Sequence, residues 1–83
     1  SSELPAAYRN LQLQANDMGI SMEDFLRFKY HKGKTKQEIV LSMYNAIMGG
    51  TIPTEPEEAM KMAEKGWELL DKTNLSVIDD LLG

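Results

Sequence analysis

The chain has 83 residues and a net charge of −4, the size of one small domain that buries only about 60–65% of its unfolded surface on folding. It has no cysteine and a single histidine, which excludes a disulfide framework and a thiolate metal site and makes structural zinc a poor fit. Hydrophobic residues are 42% and charged residues 27% of the chain, proportions of a globular and not a disordered sequence; no apolar run approaches the ~18 residues needed to span a membrane, and no signal-peptide pattern is present.

In chain order, the first expected helix covers residues 4–18. Tyr8, Leu11, Ala15 and Met18 fall at helical spacing and form one apolar stripe. Gly19 suits a C-terminal cap, because glycine adopts positive φ at low cost. Ser21, with Asp24 three residues on, starts a second helix over 22–31, with Phe25, Phe28 and Leu26 inward and Gly33 as its stop. Thr35 and Glu38 make a capping box for a third helix, 36–48, whose apolar face is Ile39, Val40, Met43, Tyr44 and Ile47. Gly49-Gly50 ends it. The run 51–56, with Pro53 and Pro56, reads as an extended linker. Thr54 is the expected cap of a fourth helix, 55–72, with Ala59 or Met60, Ala63, Trp67 and Leu70 inward. Trp67 carries the largest apolar surface and is expected at the centre of the core. A fifth helix, 75–82, capped by Ser76 with Asp79, carries Leu75, Ile78, Leu81 and Leu82; two turns alone would not hold in water, so it must dock. The fold class is all-α, a compact single-domain bundle of four or five short helices. Helices one to three are expected to form a corner unit, with the fourth across it. The opening Ser1-Ser2 without an initiator methionine is what a fragment of a longer protein would show.

Charge is unevenly placed. Residues 1–26 carry one basic and four acidic groups, residues 27–54 five basic groups against Glu38 alone, and residues 55–83 three basic and eight acidic groups. A basic centre therefore sits between two acidic ends. Lys29 and Lys32 share a helical face, and the loop bearing Lys34 and Lys36 can fold beside it, while Arg27 stands apart. This predicts a patch of Lys29, Lys32, Lys34 and Lys36 for an acidic protein surface. Phe28, Tyr30 and His31 interleave with these cations, a composition that also suits nucleic acid, although aromatics turned to the core are the plainer reading. Six methionines add adaptable apolar surface; Met18, Met43 and Met60 are expected in the core, and Met22, Met48 and Met62 at an interface. Leu75, Ile78 and Leu82 complete the partner-binding candidates.

The spacing Ala15, Gly19, Ser21, Phe25 is that of a helix-turn-helix corner, with a small residue at the crossing, a glycine in the turn, a cap and a core anchor. In a DNA-binding version helix 22–31 would enter the major groove with Arg27 and Lys29. The run A15-N-D-M-G19-I-S21-M-E23-D24-F25-L-R27-F28 also resembles the helical hook of Sin-type antirepressors and of the dimerisation region of their partner repressors. The resemblance covers about residues 8–30. It implies that Leu11, Ala15, Ile20, Phe25 and Phe28 sit in an interface between chains, and it points to a bacterial or phage source.

No catalytic, cofactor or metal signature is visible. His31 has no carboxylate at a helical neighbour position, the adjacent acids Glu57-Glu58 and Asp79-Asp80 diverge on a helix, and no glycine-rich phosphate loop is present. The sequence reading is therefore a cytoplasmic, non-enzymatic regulatory protein–protein interaction module without cofactor: an antirepressor, an inhibitor, or an oligomerisation or adaptor domain. Its partner is another protein, such as a regulator, and a homo-oligomer is compatible. A small DNA-binding domain using residues 27–36 is the alternative, and a structural or assembly protein of a phage the third reading.

Overall fold

The computed structural model describes residues 3–83 and is all-α. Its helices are α1 (Glu3–Met18), α2 (Met22–Arg27), α3 (Lys36–Met48), α4 (Pro56–Lys72) and α5 (Leu75–Leu82), with a 3₁₀ turn at Phe28–Tyr30 after α2. No strand occurs among the described residues.

Local chemistry sets most boundaries. Gly19, at φ 70°, closes α1 with paired bonds: its amide donates to Asn16 O, and the Ile20 amide donates to Ala15 O. That is the Schellman arrangement, which satisfies two carbonyls left over at the helix end. Ser21 Oγ accepts from the Asp24 amide and starts α2. Thr35 and Glu38 form the full reciprocal capping box of α3, in which the Thr35 amide donates to Glu38 Oε1 and the Glu38 amide donates to Thr35 Oγ1; hydrogen bonding from the Thr35 backbone, and after it the Thr35 side chain, holds the Glu38 carboxyl below its ordinary range. Three expectations are corrected. Helix α2 is shorter than expected, because the chain tightens into 3₁₀ geometry from Phe28 on. Thr54 does not cap α4; its hydroxyl donates to Ile52 O, and Glu55 holds the cap position, as Pro56 in the first turn forces extended backbone on the residue before it. Asn74, and not Ser76, occupies the cap position of α5.

Helix α4 is the centre of the fold. It packs against α3 along one side, against α1 along another, and meets the 3₁₀ turn near its C-terminal end. The expected corner unit of the first three helices is thus corrected, since the main neighbour of α3 is α4. The face that α4 buries is Ala59, Ala63, Gly66 and Leu70. Small residues let two helix backbones approach closely: a Cβ on Gly66 would lie 2.7 Å from Met43 Sδ and 3.2 Å from Met18 Cε and Sδ. Trp67, expected at the centre of the core, is only half-buried at its edge. The buried face of α4 is taken by small residues and Leu70, with the side chains of Met43 and Met18 filling the space at Gly66.

Fully enclosed around this crossing are Leu11, Ala15 and Met18 of α1, Phe25 and Leu26 of α2, Met43 and Ile47 of α3, and Ile78 of α5. Gln14 is the buried polar side chain of the core; its Nε2 donates to Met62 O at 3.3 Å and ties α1 to α4. The α3–α4 linker clamps onto the α1–α2 corner. Thr51 donates to Gly19 O from both its amide and its hydroxyl, at 3.4 and 3.3 Å. A Cβ on Gly50 would lie 2.8 Å from the same carbonyl oxygen, so only glycine fits there.

Candidate functional site

The basic segment closes over the C-terminal half of α4 and forms a cleft of about 230 Å³. Phe28 and Lys29 come from the 3₁₀ turn, Lys34 from the loop, Lys36 and Ile39 from the start of α3, and Trp67, Leu70 and Asp71 from α4. Phe28, Ile39, Trp67 and Leu70 give it apolar walls, and its charged lining is three lysines with the carboxylate of Asp71. Each lysine stands differently. Lys29 Nζ donates to Leu70 O at 2.7 Å and to Asp71 O at 3.4 Å. It caps the carbonyl end of α4, where a cation also complements the helix dipole. Lys36 Nζ lies 4.8 Å from the centre of the Trp67 ring, a cation–π contact. Lys34 is exposed at the rim with no bond to the protein among the described contacts.

The expected four-lysine patch is thus redrawn. Lys29, Lys34 and Lys36 converge on one cleft, and Lys32 lies outside it. Arg27 pairs with Glu23 one turn back at 2.7 Å, and that carboxylate raises the guanidinium pKa further. Tyr30 donates its hydroxyl to Asp79 of α5, a bond that raises the phenol above its ordinary value. His31, expected on an exposed stretch, is half-buried, its ring 5.1 Å from that of Phe28 at 39°, and its Nδ1 is buried without a hydrogen-bond partner. No cluster of three metal-ligating side chains occurs among the described residues.

Other candidates separate by burial. Met48 and Leu75 are exposed, at 42% and 49%. Met22, Met62 and Leu82 are half-buried and pack on the core, and Ile78 is fully enclosed. Ile78 therefore docks α5 onto its own domain and offers nothing to a partner. Leu11, Ala15 and Phe25, assigned by resemblance to an interface between chains, are fully enclosed within the chain's own core, and Ile20 and Phe28 pack against it. As the chain folds here, none of the first three presents surface.

Sequence reasoning missed Trp67 as a wall of the site. The signal was present: Ala59, Ala63, Gly66 and Leu70 recur at helical spacing, and a stripe centred on them leaves Trp67 on its flank. Comparison of the chain with protein-family models, with curated proteins and with solved structures finds no match. No helix among the described residues is long and apolar enough to cross a membrane.

Proposed function

We propose that this chain is a non-enzymatic, regulatory protein–protein interaction module that receives an acidic segment of its partner in the Trp67 cleft. The observation that carries this reading is the placement of two lysines, Lys34 and Lys36, beside a half-exposed indole, on a chain whose two ends are acidic. An acidic segment with one large apolar side chain matches both parts. Its carboxylates meet Lys34 and Lys36, and its apolar group covers the indole, which supplies a large rigid contact at low entropic cost. Tryptophan is among the residues enriched at interface hot spots.

Duplex DNA is the weaker reading for specific reasons. Helix α2 has six residues, Phe25 and Leu26 of it are buried, Arg27 is engaged by Glu23, and Lys29 is engaged by α4. Little of α2 is left to read base edges.

Trp67 is the chain's one tryptophan, so its fluorescence reports on the cleft directly. The test is a titration with an Asp/Glu-rich peptide bearing a single leucine, alongside a duplex oligonucleotide. The reading expects saturable quenching or a spectral shift with the peptide, abolished in Lys34→Glu/Lys36→Glu and retained in Lys32→Glu. A salt-sensitive response to the duplex alone would replace it with the DNA reading.

A further inference from the structure

The Trp67 cleft does not end at Lys36. That lysine also borders a second cleft, of about 440 Å³, which it shares with Val40 and Leu41 of α3 and Met60 and Glu64 of α4. On the α4 side one wall runs from the first cleft into the second. Met60, Glu64, Trp67 and Asp71 stand at i, i+4, i+7 and i+11, all within about 60° of one another round the helix. The rise along this stripe makes the joint groove about 16 Å long.

The groove has two apolar stations. One is Trp67; the other, beyond Lys36, is Leu41 with Met60. Leu41 is 52% exposed, and Met60 is half-buried. Charge separates the two ends. At the Trp67 end the lysines outnumber the one carboxylate, Asp71. At the Leu41 end Lys36 and Glu64 stand on opposite walls and offset one another. Acid on a partner is therefore drawn towards Lys34 and Lys36, and the far station adds apolar area without net charge.

Spacing selects the form of the occupant. Trp67 and Met60 lie seven residues apart on α4, about 10 Å along its axis. An extended segment places side chains on one face at about 7 Å and then about 13 Å, and the residue that spans 10 Å points the other way. A helix places i and i+7 on one face at the required distance.

We propose that the two clefts together receive one amphipathic helix of the acidic partner, with large apolar side chains at i and i+7 on the two stations and carboxylates between them at Lys36. This rests on the acidic-partner reading of the Trp67 cleft and specifies that partner's secondary structure and register. Helix-in-groove recognition uses anchors at such spacings.

Three Glu/Ala-rich peptides of about 15 residues, long enough for helix to form, test it by titration against Trp67 fluorescence. One carries a single leucine, one leucines at i and i+7, and one leucines at i and i+5, about 140° apart on a helix. The i, i+7 peptide should bind about tenfold more tightly than the single-leucine peptide, and the i, i+5 peptide about as the single-leucine one. Leu41→Gln should remove the gain and leave the single-leucine affinity unchanged; Leu13→Gln, on α1, should alter neither. Circular dichroism confirms that both variants fold, and the comparison of spacings needs no variant. If the single-leucine peptide binds but i+7 adds nothing, or i+5 adds as much, or the gain survives Leu41→Gln, this proposal is overturned and the Trp67 cleft reading stands. A response to none of the peptides overturns both.

Discussion

Gly66 lies against the side chains of two core methionines, Met18 and Met43. Adding one carbon there sets two effects against each other. Alanine is favoured over glycine inside a helix by about 1 kcal/mol. Its Cβ, however, would stand 2.7 Å from Met43 Sδ and 3.2 Å from two atoms of Met18, well inside the ~3.5–4.0 Å optimum of non-bonded contacts. Both methionines are fully buried, so they yield only by displacing neighbours, and overpacking of this kind costs about 1–3 kcal/mol. Gly66→Ala should thus lose roughly 0–2 kcal/mol. Gly66→Val gains only a few tenths from propensity and adds two further carbons, so it should lose about 2–3 kcal/mol. A domain of this length holds on the order of 4–12 kcal/mol in all, and 1 kcal/mol moves Tm by about 4–8 °C. Thermal melts followed by circular dichroism should therefore rank wild type at or above Gly66→Ala and well above Gly66→Val, the last lower by roughly 10 °C or more. If Gly66→Val melts with wild type, α3 and α4 do not cross as closely as described.

Trp67→Ala should destabilise by about 1–3 kcal/mol, less than the ~3–5 kcal/mol of Phe25→Ala, because the indole is half-buried and Phe25 is enclosed; chemical denaturation of the two variants side by side checks the order. Ile78→Ala should cost about 2–5 kcal/mol while Leu75→Ala, on the exposed side of α5, stays within ~0.5 kcal/mol; equal losses would mean that α5 docks by another face. The Glu38 carboxyl titrates below its ordinary value of 4.5 when folded. Its contribution is thus present above that value and lost as pH falls through the lower, folded pKa. Glu38→Gln should flatten the acid limb of the Tm–pH curve below pH 4.5 and leave the neutral region nearly parallel to wild type; an unchanged acid limb would remove the capping box from the account.

What was legible in the sequence was what depends on near neighbours. The stop at Gly19, the cap at Ser21 and the box at Thr35 and Glu38 each involve residues three to five apart, and each stands where spacing placed it. Contacts across the chain were not legible. Lys29 finds the carbonyl of Leu70, 41 residues away, so its membership of a free surface patch could not be judged from composition. Trp67 was misplaced for a different reason. Ranking residues by size sets the largest at the centre, but a close helix crossing ranks them the other way, and Gly66 with two alanines took the position. The enclosure of Ala15 and Phe25 follows from the same corner chemistry that suggested an interface, since a tight turn between two helices needs a small residue and an anchor whether the covering helix comes from this chain or another.

The clamp between Thr51 and Gly19 bears on the order in which the chain assembles. Helices α3 and α4 adjoin in sequence through seven linker residues, so their pairing closes a short loop and is favoured early. Helix α1 must then return across the intervening chain to lie on α4. The carbonyl of Gly19 meets Thr51 only when that return is complete, 32 residues apart in sequence. Lying at the surface and joining the first two helices to the α3–α4 hairpin, the clamp is expected to close late in folding, and the Thr51 amide should exchange with solvent sooner than the amides in the middle of α4.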